Sequence, residues 1–213
     1  MKRIGNVSSE LEQRFVNYWI ALEFIFSSPE TNENTFSRLK TNIANVLVSC
    51  YIKRNLLALN ESLIKDKIIM SGTLYWEQSD LDEFINKQDS ILIKYRLKKM
   101  KSRLFTHTDK LLAYAKRHEK NLLWHIARIY RLRNQLIHEA AIKQDIENVT
   151  SNLRYYLVFL LNQIIVYFAN DQEKRNVTLE DFFFEYDIHM KMITEKKDLF
   201  TCMSVPVEMD LLF

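Results

Sequence analysis

Four polar side chains within a short stretch, Arg131, Arg133, Asn134 and His138, have the types and spacing to do chemistry together. An imidazole moves a proton near neutral pH. A guanidinium matches the oxygens of a phosphodiester as charge builds on them. An amide can fix the imidazole or bind a phosphate oxygen. If the segment is helical, Asn134 and His138 are neighbours because they are four residues apart. At about 100° per residue Arg131 falls on the same side. The same spacing also describes a solvated polar face that happens to include a histidine, and spacing alone does not separate the two.

The opposite side of that helix is apolar: Leu122, Ile126, Ile129, Leu136, Ile137 and Ala140, with Arg133 near the middle of the stripe. A guanidinium does not lose its charge, so burying it calls for a partner. Glu23 is the expected one. It flanks the apolar stripe of the first helix, Leu11, Phe15, Trp19, Leu22 and Phe26, one turn after Trp19. The alternative is that Arg133 runs along its own helix to water.

The elements that must position these groups are expected to be helices. The chain of 213 residues holds only Gly5, Gly72, Pro29 and Pro206. Tight hairpins and glycine-rich phosphate loops draw heavily on those residue types, which excludes a P-loop, a dinucleotide fingerprint and most all-β folds. Ser9 and Glu12 have capping-box spacing, and a first helix then carries the stripe to Phe26 and is closed by residues 27–30, where Pro29 stands. Further helices are expected over about 35–59, 79–86, 90–103, 106–116, 121–141, 148–169 and 178–195, with an irregular tail at 198–213. No repeat or linker divides them, so residues 1–213 are expected to form a single α-helical domain, a bundle.

Cys50 and Cys202 make no disulfide framework, and no Cys/His spacing points to zinc. No acidic set has two-metal spacing, so no metal and no cofactor are expected. The first ten residues carry no apolar run, so a cytoplasmic chain is expected. The stretch from Tyr155 to Ala169 is apolar but short for a membrane span, and Asn162 and Gln163 interrupt it; a buried helix or an oligomer seam fits better. Net charge is only +3, so a nucleic-acid role has to come from local patches.

Two separated blocks resemble the HEPN family. Arg133-Asn134-x-x-x-His138 is similar to its Arg-x4–6-His motif, with the polar Asn directly after the Arg, and Ile129-Tyr130-Arg131-Leu132 resembles the run leading into it. Phe15 to Glu23, with Trp19-Ile20-Ala21-Leu22-Glu23, resembles the first helix of the ApeA-like HEPN group. The resemblance covers about residues 10–170. It implies a HEPN-type helical bundle, here with an extra C-terminal helix, that dimerises so that two motifs form one composite site. It further implies a metal-independent endoribonuclease with Arg133, Asn134 and His138 as catalytic residues, supported by Glu23 and Arg131. Such enzymes serve as toxins or antiviral defence effectors, some with an antitoxin or sensor partner. The reaction implied is attack of the RNA 2′-OH on the adjacent phosphorus, with one His138 as base and its symmetry mate as acid. The family often has Gly shortly after the His; Glu139-Ala140 stand here.

On an ideal helix Arg133 and His138 lie about 140° apart. Three readings follow: the helix bends, Arg133 reaches round its edge, or Arg133 is structural and Arg131 faces substrate. A non-catalytic HEPN module that binds RNA, a nucleotide or a protein is the main alternative to the enzyme; a helical interaction protein using 153–169 is a third.

Lys94, Arg96, Lys98, Lys99, Lys101 and Arg103 form a basic run. Lys98, Lys99, Lys101 and Arg103 are the expected RNA contacts, through phosphates, with a solvated helix face as the competing explanation. Tyr95 and Phe105 can stack bases or join the core. His107, His118, His125 and His189 are expected to be surface or satisfied histidines, and Phe182 to Tyr186 to be core or a subunit contact.

Overall fold

The all-α expectation holds. The computed structural model describes residues 2–27, 34–70, 78–139, 146–170 and 177–207, with side chains described over 10–27, 34–70, 80–137, 146–169 and 177–207. Among the described residues there are eight α-helices and one π-helical turn, and no strand. In order these are α1 (Lys2–Phe26), α2 (Thr35–Lys65), α3 (Gln78–Lys87), α4 (Ile91–Met100), the π-helical turn (Lys101–Phe105), α5 (Thr108–Glu139), α6 (Ile146–Asn170), α7 (Leu179–Lys196) and α8 (Leu199–Ser204).

Several boundaries differ from the sequence reading. Helix α1 begins at Lys2, so Ser9 lies inside it rather than at its cap; no proline stops the helix upstream. The helices expected at 106–116 and 121–141 are one, α5, because 117–120 hold no breaker and the buried series Leu111, Ala115 resumes beyond them at Leu122, Ile126 and Ile129 in the same helical phase. The tail is not irregular throughout. Asp198 caps α8, its Oδ1 accepting from the Thr201 amide at 2.7 Å, and Thr201, Cys202, Met203 and Val205 are buried. The Gly72 turn and residues 208–213 lie outside the described residues.

Caps otherwise follow local chemistry. Asn34 Oδ1 accepts from the Phe36 amide at 2.9 Å at the start of α2. Thr178 and Asp181 exchange side-chain to backbone hydrogen bonds at 2.8 and 3.2 Å to open α7. With so little glycine in the chain, α2 closes on Lys67 in the left-handed region, φ 59°, with the Ile68 amide bonded to the Leu63 carbonyl and the Lys67 amide to that of Ile64. This is a Schellman motif without its usual glycine.

The chain divides into two compact units. The first comprises 1–47, 119–187 and 210–213, the second 48–118 and 188–209. Helices α2, α5 and α7 supply residues to both. In the first unit α1 packs on α6, and Phe15, Trp19, Leu22, Phe26, Phe159 and Phe182 are fully buried. Burying side chains of this size stabilises by roughly 1.5–3 kcal/mol each before entropy is set against it. Phe182, Phe183 and Tyr186 are core and Phe184 is exposed. The polar interruption of α6, Asn162 and Gln163, is buried on its core face, where Tyr186 OH donates to Gln163 Oε1 at 3.4 Å. Among the described residues no helix is long and apolar enough to cross a membrane.

In the second unit, Leu56, Leu59, Leu63, Leu81, Leu97, Leu104 and Leu111 form the core. Lys53 Nζ donates to the Val205 carbonyl at 2.7 Å and Cys50 Sγ to that of Pro206 at 3.8 Å, which fastens the segment after α8 to α2. Burial lowers the Lys53 pKa and pushes the Cys202 thiol up to about 12. Cys202 is therefore an inert core thiol rather than a nucleophile.

Candidate functional site

Trp19 and Glu23 share one side of α1, four residues apart, and Tyr130 and Arg133 share one side of α5, three apart. The two helices meet along these residues. The Trp19 and Tyr130 rings lie 5.7 Å apart, and Phe36, from the first turn of α2, stacks on Tyr130 at 4.0 Å. One turn further, Arg133 Nη2 is 3.5 Å from Glu23 Oε2, with the Arg and Glu side chains 26% and 32% exposed. Arg133 Nη1 donates to Asn134 Oδ1 at 3.2 Å. The remaining donor, Nε, is buried and has no partner among the described residues.

The expected Glu23–Arg133 contact is therefore present. Arg133 also emerges as a positioning group: one edge of its fork holds the carboxylate of α1 and the other holds the amide of the next residue. Of the three readings of the 140° separation, this geometry favours the structural one. Arg131 stands exposed, its Nε bonded to the Ala127 carbonyl one turn back at 3.4 Å. His138 falls in the last turn of α5, but its side chain, like Ala140, lies outside the described residues. The apolar stripe departs from the ideal wheel at this end. Leu132 is buried, Leu136 half-buried and Ile137 48% exposed.

Ile137 of α5 is exposed, and so are Ile20 and Phe24, four residues apart on α1; Phe24 is 79% exposed. Upstream the same outward stripe is polar and self-paired, with Arg14 bonded to Glu10 and Gln13 to Asn17. The outward face of α1 thus changes from polar to apolar as it reaches the pair with Arg133.

The basic run lies in the second unit and is less uniform than its sequence. Ser90 caps α4, and Leu97 and Met100 face the core. Arg96, Lys98 and Lys99 are exposed, Lys99 sitting over the Tyr95 ring at 4.7 Å. Lys101 instead grips Asp82 of α3 at 2.5 and 2.6 Å to its two oxygens. The π-helical turn, whose wider register rotates the residues that follow, carries Arg103 over the Tyr114 ring at 4.6 Å. Tyr114, Tyr51 and His118 form a cluster not legible in the sequence, because Tyr51 of α2 is brought to the α5 pair only by the fold.

His125 has a hydrogen-bond partner and His118 a stacking one. Nδ1 of His125 is 2.8 Å from Tyr156 OH, and His118 stacks on Tyr51. His107 is exposed. Among the described residues no group of three or more His, Cys, Asp or Glu side chains is placed to hold a metal ion.

These features define an all-α protein whose first unit joins α1 to α5 through the Glu23–Arg133 ion pair. No family model matches the chain, and no curated protein and no solved structure matches it.

Proposed function

We propose that the chain is a metal-independent endoribonuclease of the HEPN type, acting as a toxin or anti-phage defence effector on single-stranded RNA. The observation that supports this reading best is the meeting of the two sequence blocks. They are separated by over a hundred residues, yet Trp19 and Glu23 of the first lie against Tyr130 and Arg133 of the second. In this reading Glu23 and Arg133 hold Asn134 and the last turn of α5 in place. Arg131 and Asn134 bind phosphate oxygens, and His138 transfers the proton. The 2′-OH of RNA attacks its own phosphorus, the O5′–P bond breaks, and the products are a cyclic phosphate and a 5′-OH. A second copy of the chain docks on the apolar surface of Ile20, Phe24 and Ile137, which sets two His138 side chains to one scissile bond, one as base and one as acid. An antitoxin or sensor protein is a natural further partner for such an effector, and the cytoplasm its place of action.

One observation favours the second reading, a non-catalytic HEPN module. The Arg133 guanidinium is already engaged by Glu23 and Asn134, as in a scaffold. Growth on expression separates the two. The enzyme arrests growth and His138→Ala relieves the arrest; a module affects growth equally with either residue.

A further inference from the structure

The second unit holds a ladder of planar groups that the reading above does not use. Tyr51 and His118 are stacked in parallel, ring centroids 3.6 Å apart and 11° between planes. Tyr114, one turn before His118 on α5, sits 5.2 Å from Tyr51 and donates its hydroxyl to the Tyr51 oxygen at 3.0 Å. The Arg103 guanidinium covers the Tyr114 ring, and Arg54 lies one turn after Tyr51 on α2. All five side chains are half-buried. A core cluster would be closed off from water; here each of the five residues keeps part of its surface exposed.

The protonation states suit a neutral stacking surface. Burial, with the charge of Arg54 behind it, drives His118 down to about 4. Burial and the hydrogen bond with Tyr114 push Tyr51 up to about 12. At neutral pH the stack is an imidazole on a phenol, with the positive charges of Arg54 and Arg103 acting on it. Arg103 also ends the basic run, so the exposed Arg96, Lys98 and Lys99 lead along one chain segment to the rings.

We propose that Tyr51, Tyr114 and His118 form a stacking platform for the bases of single-stranded RNA, whose phosphates are held by Arg54, Arg103 and the exposed lysines of α4. Aromatic faces beside a cationic track are what sequence-tolerant binding of single strands requires, because every base has a π-face. The platform deepens the RNA reading of the basic run and rests on it, but it does not require cleavage.

The test is fluorescence anisotropy on the full chain with a short 2′-O-methyl oligouridylate, which lacks the nucleophile, and an abasic strand with the same number of phosphates. His118→Ala should weaken binding of the base-bearing strand by about tenfold, the effect of losing one stacked base, and leave the abasic strand unchanged. His118→Phe should restore binding by restoring a ring. Lys98→Ala with Lys99→Ala should weaken both strands and flatten the salt dependence. Photo-crosslinking of a 4-thiouracil strand to the wild-type protein needs no variant and should mark Tyr51, Tyr114 or His118. Equal binding of the two strands by the wild type, or crosslinks confined to other residues, overturns the platform while leaving the basic run as an RNA contact. Failure to bind either strand overturns both.

Discussion

Arg133 Nη2 lies 3.5 Å from Glu23 Oε2, joining α5 to α1 across 110 positions of sequence. A cation placed on an apolar helix face has few ways to be accommodated, and a carboxylate on the facing helix is the one realised here. Both side chains keep some contact with water, so the pair is weaker than a fully buried one. Glu23→Gln keeps the shape and removes the charge. It should cost about 1–2 kcal/mol, between the values for surface and buried pairs. Denaturant unfolding measures this, and a midpoint equal to wild type would show that the contact carries no net stability.

Lys67 occupies a backbone conformation that a side chain disfavours, and its amide and that of Ile68 already make the closing hydrogen bonds. Lys67→Gly should therefore stabilise the chain by about 1 kcal/mol, even after the added freedom of the unfolded glycine is counted. A lower melting temperature in this variant would mean that the Lys67 side chain contributes more than its backbone costs.

The lowered pKa of His118 makes stability depend on pH. The folded chain resists protonation until about 4, whereas the unfolded imidazole titrates near 6.5. Between those values the unfolded state binds the extra proton. Stability is therefore complete above about pH 6.5 and is lost as pH falls towards 4. His125, lowered by burial and then by Arg128, acts in the same direction. Thermal melts across this window should show a decline that is shallower in His118→Phe. Equal slopes in the two proteins would contradict the assignment.

Much of the first unit was legible in the sequence because its signals are local or periodic. The stripe Phe15, Trp19, Leu22, Phe26 reads directly as a buried helix face, and a guanidinium on an apolar stripe announces its need for a carboxylate. The rest was hidden for physical reasons. Six residues of α8 are too few to display a helical period, and what holds that segment is the tertiary bond from Lys53 to the Val205 carbonyl. The split assigned to α5 came from a polar stretch, which interrupts burial without interrupting backbone hydrogen bonding. Lys101 is equivalent to Lys98 and Lys99 in sequence, and only the fold brings Asp82 to it. The ring ladder depends on a π-helical turn that places Arg103 over Tyr114, and neither spacing nor composition encodes such a turn.

The central claim is that His138 drives RNA cleavage through the 2′-OH. The most direct measurement is incubation of the purified protein with single-stranded RNA in EDTA, beside an all-deoxy strand of the same sequence and beside the His138→Ala variant. Proton transfer typically contributes about 10²–10⁴-fold in rate, so His138→Ala should slow cleavage by at least that order while remaining folded. The wild type should leave cyclic phosphate ends on RNA and spare the deoxy strand. Cleavage abolished by EDTA, a deoxy strand cut as fast as RNA, or full activity in His138→Ala would contradict the account.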